Sequence, residues 1–99
     1  MAQRVIWSQH AELSLRKIVE YIGIDSPRYA ISFARLLTAE ANRLKQFPEL
    51  GAVVTEWNDP HKRELIVGNY RILYETRDDC VLIIAIVHAA RDISQGIPD

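Results

Sequence analysis

The chain has 99 residues, 48% apolar and 25% charged, with four glycines and four prolines, which is the make-up of one ordinary globular domain spanning 1–99 and too short for two. Twelve basic and thirteen acidic residues leave a formal charge of −1, which excludes nucleic-acid binding by overall charge alone. The sum hides a division: seven basic and four acidic residues precede Gln46, a balance of +3, whereas five basic and nine acidic residues follow it, a balance of −4.

In chain order, Arg4, Glu12 and Arg16 surround a short apolar stretch that lacks the long apolar middle and small-residue cleavage site of a signal peptide. The β-branched and aromatic run 4–7 predicts a short strand, and Ser8 is placed to cap a helix. Ala11, Leu15, Ile18, Val19 and Ile22 recur at helical spacing, and Gly23 is the expected stop. Ser26 followed by Pro27 starts a second helix, expected to run to about 47 with Ala30, Phe33, Ala34, Leu37, Ala41 and Leu44 on its buried face. So short a link between the two requires an antiparallel hairpin. Pro48 to Gly51 break the helical pattern, and 52–57 resumes with strand-like residues. Runs 63–67 and 70–76 flank Gly68-Asn69, a spacer suited to a type II′ hairpin. Cys80, the single cysteine, has no partner for an internal disulfide, so a reducing cytoplasm is the expected setting. The apolar run 81–87 has the length of a central strand covered on both faces, and its seven residues fall far short of the ~20 of a membrane helix. The tail 93–99 is expected to be frayed and flexible. The order β-α-α-β-β-β predicts an α+β fold: an N-terminal strand, then an antiparallel two-helix hairpin packed on a small, mostly antiparallel sheet.

In the register set by Gly68-Asn69, Leu65, Val67, Tyr70, Ile72, Tyr74 and Arg63 share the core face, while Glu64, Arg71 and Glu75 lie on the other. Arg63 and Arg71 are therefore expected on opposite faces. A guanidinium held on a sheet can bind a phosphate; the commoner alternative for Arg71 is an ion pair with Glu64 or Glu75. His88, at the end of the apolar strand, has the chemistry of a general acid or base, or of a ring capping the core edge. No spacing of His, Cys, Asp or Glu supports a metal site, and no motif calls for a cofactor. On the second helix Arg28, Arg35 and Arg43 form a stripe about 22 Å long at helical rise, free of acidic residues, which suits an acidic partner or a phosphate backbone, or is simply a solvated face. Leu13 stands opposite the first helix's apolar face, where a lone leucine is ordinary or is covered by a partner.

The segments Val5-Ile6-Trp7-Ser8, Tyr21-Ile22 with Asp25-Ser26-Pro27, LKQFPELG (44–51), RELIVGNYRILY (63–74) and VHAARD (87–92) together resemble toxins of the RelE/ParE superfamily, in the same order and over nearly the whole chain. The resemblance implies a RelE/ParE-like fold, agreeing with the reading from the residues. It also implies a bacterial toxin of a type II toxin-antitoxin, or plasmid stabilisation, module that arrests growth and is neutralised by a cognate antitoxin. In that setting Leu13, Arg28, Arg35, Arg43, Arg63 and Arg71 are candidate partner-binding residues.

Two activities divide the superfamily. RelE-like members are ribosome-dependent messenger RNA endoribonucleases, and that branch makes Arg71, His88 and Arg91 the candidate catalytic residues. ParE-like members bind DNA gyrase and need no catalytic constellation. The chain lacks the C-terminal tyrosine of several ribonucleases, has only three lysines and carries an acidic sheet half. These departures favour the ParE-like branch, with a non-toxic interaction module as the remaining alternative.

Overall fold

The protein is described here by a computed structural model covering residues 3–97. Strand β1 (Arg4–Trp7) leads straight into helix α1 (Gln9–Asp25), because the intervening Ser8 is extended and its hydroxyl accepts the Ala11 N–H. The helix does not stop at Gly23. Ser26 ends it two residues beyond Ile24, where the following proline favours an extended backbone. There the Ser26 N–H closes α1 on the Ile22 carbonyl while its hydroxyl accepts the Tyr29 N–H and so opens helix α2 (Pro27–Asn42). One residue thus makes both ends of the hairpin. Helix α2 is shorter than expected, giving way to a 3-10 turn (Arg43–Lys45) that tightens the last turn and keeps Leu44 fully buried.

Four more strands follow: β2 (Ala52–Val53), β3 (Lys62–Val67), β4 (Tyr70–Thr76) and β5 (Cys80–His88), in the sheet order β1-β5-β4-β3-β2. Only β1 and β5 are parallel; the other neighbours are antiparallel. The expected α+β architecture, a helical hairpin on a mostly antiparallel sheet, is therefore present. The strand anticipated over 52–57 is reduced to two residues, after which Val54 turns inward and is fully buried. At the β3–β4 turn Gly68 has φ +58°, while Asn69 keeps a negative φ, the sign pattern of a type II′ hairpin.

The sheet has a core on each side. Phe33, Leu37, Ala41 and Leu44 of the helical layer pack on Leu65, Val67, Ile72, Tyr74, Val81, Ile83 and Ile86. On the opposite face Leu73, Ala85 and Val87 are closed over by Val54 and Ile93, with Trp57 and Ile97 packed against them. Trp57 donates its indole N–H to the Ile93 carbonyl at 2.6 Å. The expected fraying of 93–99 is thus corrected at its start, since Ile93 is fully buried as a lid on this second core; Pro98 and Asp99 lie outside the described residues.

An irregularity in β5 decides which side chains reach which core. Leu73 pairs with Ala85 but Tyr74 with Ile83, so Ile84 is an extra residue, a β-bulge. Before it Val81 and Ile83 face the helices; after it Ile86 does. The bulge carbonyl of Ile84 accepts the Ser8 hydroxyl at 2.9 Å, so the residue that caps α1 also ties it to the bulge.

Candidate functional site

Arg71 is the one buried charged residue among those described, 6% exposed. As the hairpin register requires, it stands diagonal to Glu64 on the face away from the helices. Its Nη1 donates to Glu64 Oε2 and to Glu56 Oε2, both at 3.1 Å, and its Nη2 donates to the Arg91 carbonyl at 2.9 Å. The ion-pair reading of Arg71 is therefore the observed one for Glu64, whereas Glu75 bonds Arg77 instead, at 2.7 Å. The Arg71 Nε is left buried without a partner. The Glu56 carboxyl titrates below the usual carboxylate range, held there by a backbone hydrogen bond and then by Arg71, with partial burial opposing. Two carboxylates around one guanidinium leave no spare positive charge.

Arg63 and Tyr74, paired across β3 and β4, hold the turn that precedes β2. Arg63 Nη1 donates to the Gly51 carbonyl at 2.7 Å, and the Gly51 N–H donates to the Tyr74 hydroxyl at 2.8 Å. Burial pushes the Tyr74 phenol up, with the Gly51 bond opposing. A β-carbon at Gly51 would collide with the Glu64 carbonyl, so only glycine permits this approach of turn to strand. The motifs 44–51 and 63–74 are thereby explained as a single structural joint. Arg63 and Arg71, candidates for partner binding, are both engaged within the chain, and Arg71 presents almost no surface.

The trio Arg71, His88 and Arg91 does not assemble. Because Ile84 is bulged, His88 pairs with Tyr70 on the helix side, its ring edge-on to Tyr70 at 5.5 Å between centroids, while Arg71 points the other way. The Arg91 carbonyl meets Arg71, and Arg91 together with His88 also lines a cleft on the helix side. That cleft, of about 160 Å³, lies between α1 and the end of β5, and His10, Leu13, Lys17 and Tyr70 complete most of its wall. The His88 Nδ1 accepts the Ala90 N–H at 3.2 Å, so the neutral ring carries its proton on Nε2 and remains a donor. The Tyr70 phenol is pushed up by burial and then by the neighbouring Tyr21 and Tyr29.

On α2, Arg28 and Arg35 are exposed as expected. Arg43 departs from the stripe, because the 3-10 turn brings it to Glu40 Oε2 at 2.9 Å; the sector is not free of acid there. Leu13 is 44% exposed beside the cleft. The sequence reading missed Glu56, which no local spacing marks. It also missed Lys17, although His10, Leu13, Ser14 and Lys17 recur at three and four residues and form a second stripe on α1. Among the described residues no group of three or more His, Cys, Asp or Glu is placed to hold a metal ion. None of the described helices is long and apolar enough to cross a membrane.

The family model described as ParE toxin of type II toxin-antitoxin system, parDE, matches residues 5–93. The chain belongs to the ParE toxin family, within the RelE/ParE superfamily. Toxin RelE2 of Caulobacter vibrioides is 40% identical over 92 residues, which are 92% of this chain and 99% of that relative. A chain of the chromosomal ParDE toxin-antitoxin system from P. aeruginosa superposes with a TM-score of 0.73 at 18% identity, covering 88% of this chain and 96% of the other. For the toxin-antitoxin complex RelBE2 of Mycobacterium tuberculosis the TM-score is 0.63 at 21% identity, with 89% and 99% covered. These solved structures share the fold of the ParE-family chain, and the names of its relatives fall on both branches of the superfamily. The type II toxin assignment is common to both.

Proposed function

We propose that this ParE-family toxin acts in the cytoplasm by binding and inhibiting DNA gyrase, catalyses no reaction itself, and is neutralised by a cognate antitoxin. The observation that supports this reading is the state of Arg71. The ribonuclease branch often uses an arginine at this strand position, and to act there Arg71 would have to reach a phosphate. Here its Nη atoms are committed to Glu56, Glu64 and the Arg91 carbonyl, and it faces away from His88. Bringing a phosphodiester to it would set that anion beside two carboxylates, a repulsion that grows as water is excluded. A gyrase inhibitor has no need of an assembled acid, base and anion site, so such an arrangement is tolerable there. The exposed Leu13, Arg28 and Arg35 are the candidate contacts for protein partners, and the likeness to chains of the P. aeruginosa ParDE system and the M. tuberculosis RelBE2 toxin-antitoxin complex supports an antitoxin as one of them.

Purified toxin added to gyrase and plasmid is expected to block supercoiling or to accumulate cleaved DNA, with the effect abolished by antitoxin. Absence of both effects at excess toxin, together with cleavage of messenger RNA on translating ribosomes, overturns the gyrase reading in favour of the ribonuclease.

A further inference from the structure

Two hollows on the helix side of the sheet adjoin, because Tyr70 and His88 line both. The first, of about 160 Å³, is the cleft between α1 and the end of β5, with Lys17 on its helical wall and Arg91 just past the strand. Both residues are exposed, and among the described residues neither forms an ion pair. No Asp or Glu stands among the described residues of this wall. His88, turned to this side by the bulge at Ile84, keeps its Nε2 N–H as a donor. Two permanent cations and an imidazole donor thus border one small space without a counter-ion. The second hollow is aromatic. Tyr21 and Tyr29, 71% and 56% exposed, stand there beside Phe33 and Tyr70. The rings form a row, Tyr29 to Phe33 at 6.0 Å, Phe33 to Tyr70 at 5.6 Å and Tyr70 to His88 at 5.5 Å between centroids. Asn69, at the hairpin tip, is exposed on the same rim, and its carboxamide offers both a donor and an acceptor. Core packing accounts for the buried Phe33 but leaves two tyrosines in water beside the cations.

We propose that the joined hollows bind a free nucleoside monophosphate, its phosphate held by Lys17, Arg91 and the His88 Nε2 N–H, and its base laid on the Tyr21 and Tyr29 shelf beside Asn69. This ligand site lies on the opposite face of the sheet from Arg71 and does not depend on the gyrase reading. Charge selects the phosphate. A phosphomonoester carries about −1.5 to −2 at pH 7, which two cations neutralise. A carboxylate or phosphate here meets no anion of the chain, whereas at Arg71 it would meet Glu56 and Glu64. Ammonium and guanidinium donors make charge-assisted bonds to phosphate oxygens, and an arginine can do so through two parallel N–H groups. A nucleic-acid strand suits the site less, since two cations release only about two counterions, against the 6–10 phosphate contacts of a protein that binds by its backbone. The aromatic row selects the remainder of the ligand. Every base has a face that stacks on an aromatic ring, and a bare phosphate would leave that row in water.

The test titrates adenosine monophosphate into the isotope-labelled full-length toxin at physiological salt, followed by amide NMR shifts. Saturable binding with a Kd of about 1 mM or tighter is expected, with the shifted amides gathered at Lys17, Tyr29, Asn69, Tyr70, His88 and Arg91. Adenosine and inorganic phosphate, the two halves of the probe, are each expected to bind at least about tenfold more weakly. Neutralising both cations, Lys17→Gln with Arg91→Gln, is expected to weaken the nucleotide at least about tenfold. Tyr29→Ala, which removes a stacking face, is expected to weaken it at least about fivefold. Lys45→Gln, at an exposed position outside both hollows, leaves it within about twofold. If the double variant lowers the thermal midpoint, Lys17→Gln alone, at an exposed helix position, gives the same direction of change. No saturable shift up to about 10 mM nucleotide, or shifts gathered elsewhere, overturns the site. Inorganic phosphate binding as tightly as the nucleotide overturns the base shelf, and adenosine doing so overturns the anion cleft. A dinucleotide without a terminal phosphate that binds more tightly than the monophosphate overturns the free nucleotide in favour of a strand. None of these outcomes bears on gyrase inhibition, which is read separately by supercoiling.

Discussion

Arg71 and the pair Lys17 and Arg91 are all basic residues close to the β4–β5 end of one sheet, yet they sit on opposite faces and in opposite electrostatic states. Arg71 is buried, surrounded by Glu56 and Glu64, and occupied. Lys17 and Arg91 border an open cleft in whose wall no carboxylate stands among the described residues. The comparison teaches that burial and counter-ions, not residue type, decide how much positive charge a basic residue offers to its surroundings. Arg71 offers almost none, because Glu56 and Glu64 already neutralise it.

The comparison is broken most directly by removing Arg71. Arg71→Leu is expected to cost about 3–5 kcal/mol in urea unfolding, because it leaves Glu56 and Glu64 facing each other without the cation. Adding Glu56→Gln and Glu64→Gln to the same chain is expected to recover much of that loss, which separates an unpaired charge from a lost contact. A cost below about 1 kcal/mol would show that the ion cluster does not close this face. The apolar half of the same lid is probed by Ile93→Ala, fully buried in the second core, for which a loss of about 2–4 kcal/mol is expected by the same measurement. An unchanged midpoint would return Ile93 to the frayed tail anticipated from sequence.

Acid sharpens the comparison more gently. The Glu56 carboxyl is held below its unfolded pKa, so its contribution is fully present above the ordinary carboxylate pKa of about 4.3 and is lost as pH falls through the lower folded value. Unfolding measured between about pH 5 and pH 2 should therefore show a decline that Glu56→Gln flattens; an equal decline in both proteins would count against the assignment. The smallest effect belongs to the open side. Lys17→Glu is expected to change stability by no more than about 0.5 kcal/mol, in contrast to Arg71, since Lys17 is exposed and forms no ion pair among the described residues.

Much of this could be read along the chain because it depends on local physics. Ser8, Ser26 and Pro27 set helix starts through capping and a fixed φ, and Gly68-Asn69 set the hairpin and with it the diagonal of Arg71 and Glu64. Residue-level periodicity then assigned the helix-side core. The elements that failed were those whose partner is distant. The strand expected over 52–57 shrank because Val54 was needed beneath the second face; helix α1 is the exception, since it outran Gly23 only to Ser26 and Pro27, three and four residues on. Ile93 read as tail because nothing near it in sequence reveals Trp57 as its cover.

The sequence by itself determined the α+β order of elements, the helical hairpin, the β3–β4 register and membership of the RelE/ParE superfamily, since each is carried by residues a few positions apart or by motifs in a set order. Tertiary structure alone decided the fate of the charges. A single extra residue at Ile84 changes the parity of β5, sending His88 to the helix side. Glu56, fifteen residues before Arg71, reaches it only once the chain has folded across the second face. Parity within a strand is local, but a bulge and the counter-ion it separates from a cation are defined only by what packs against them.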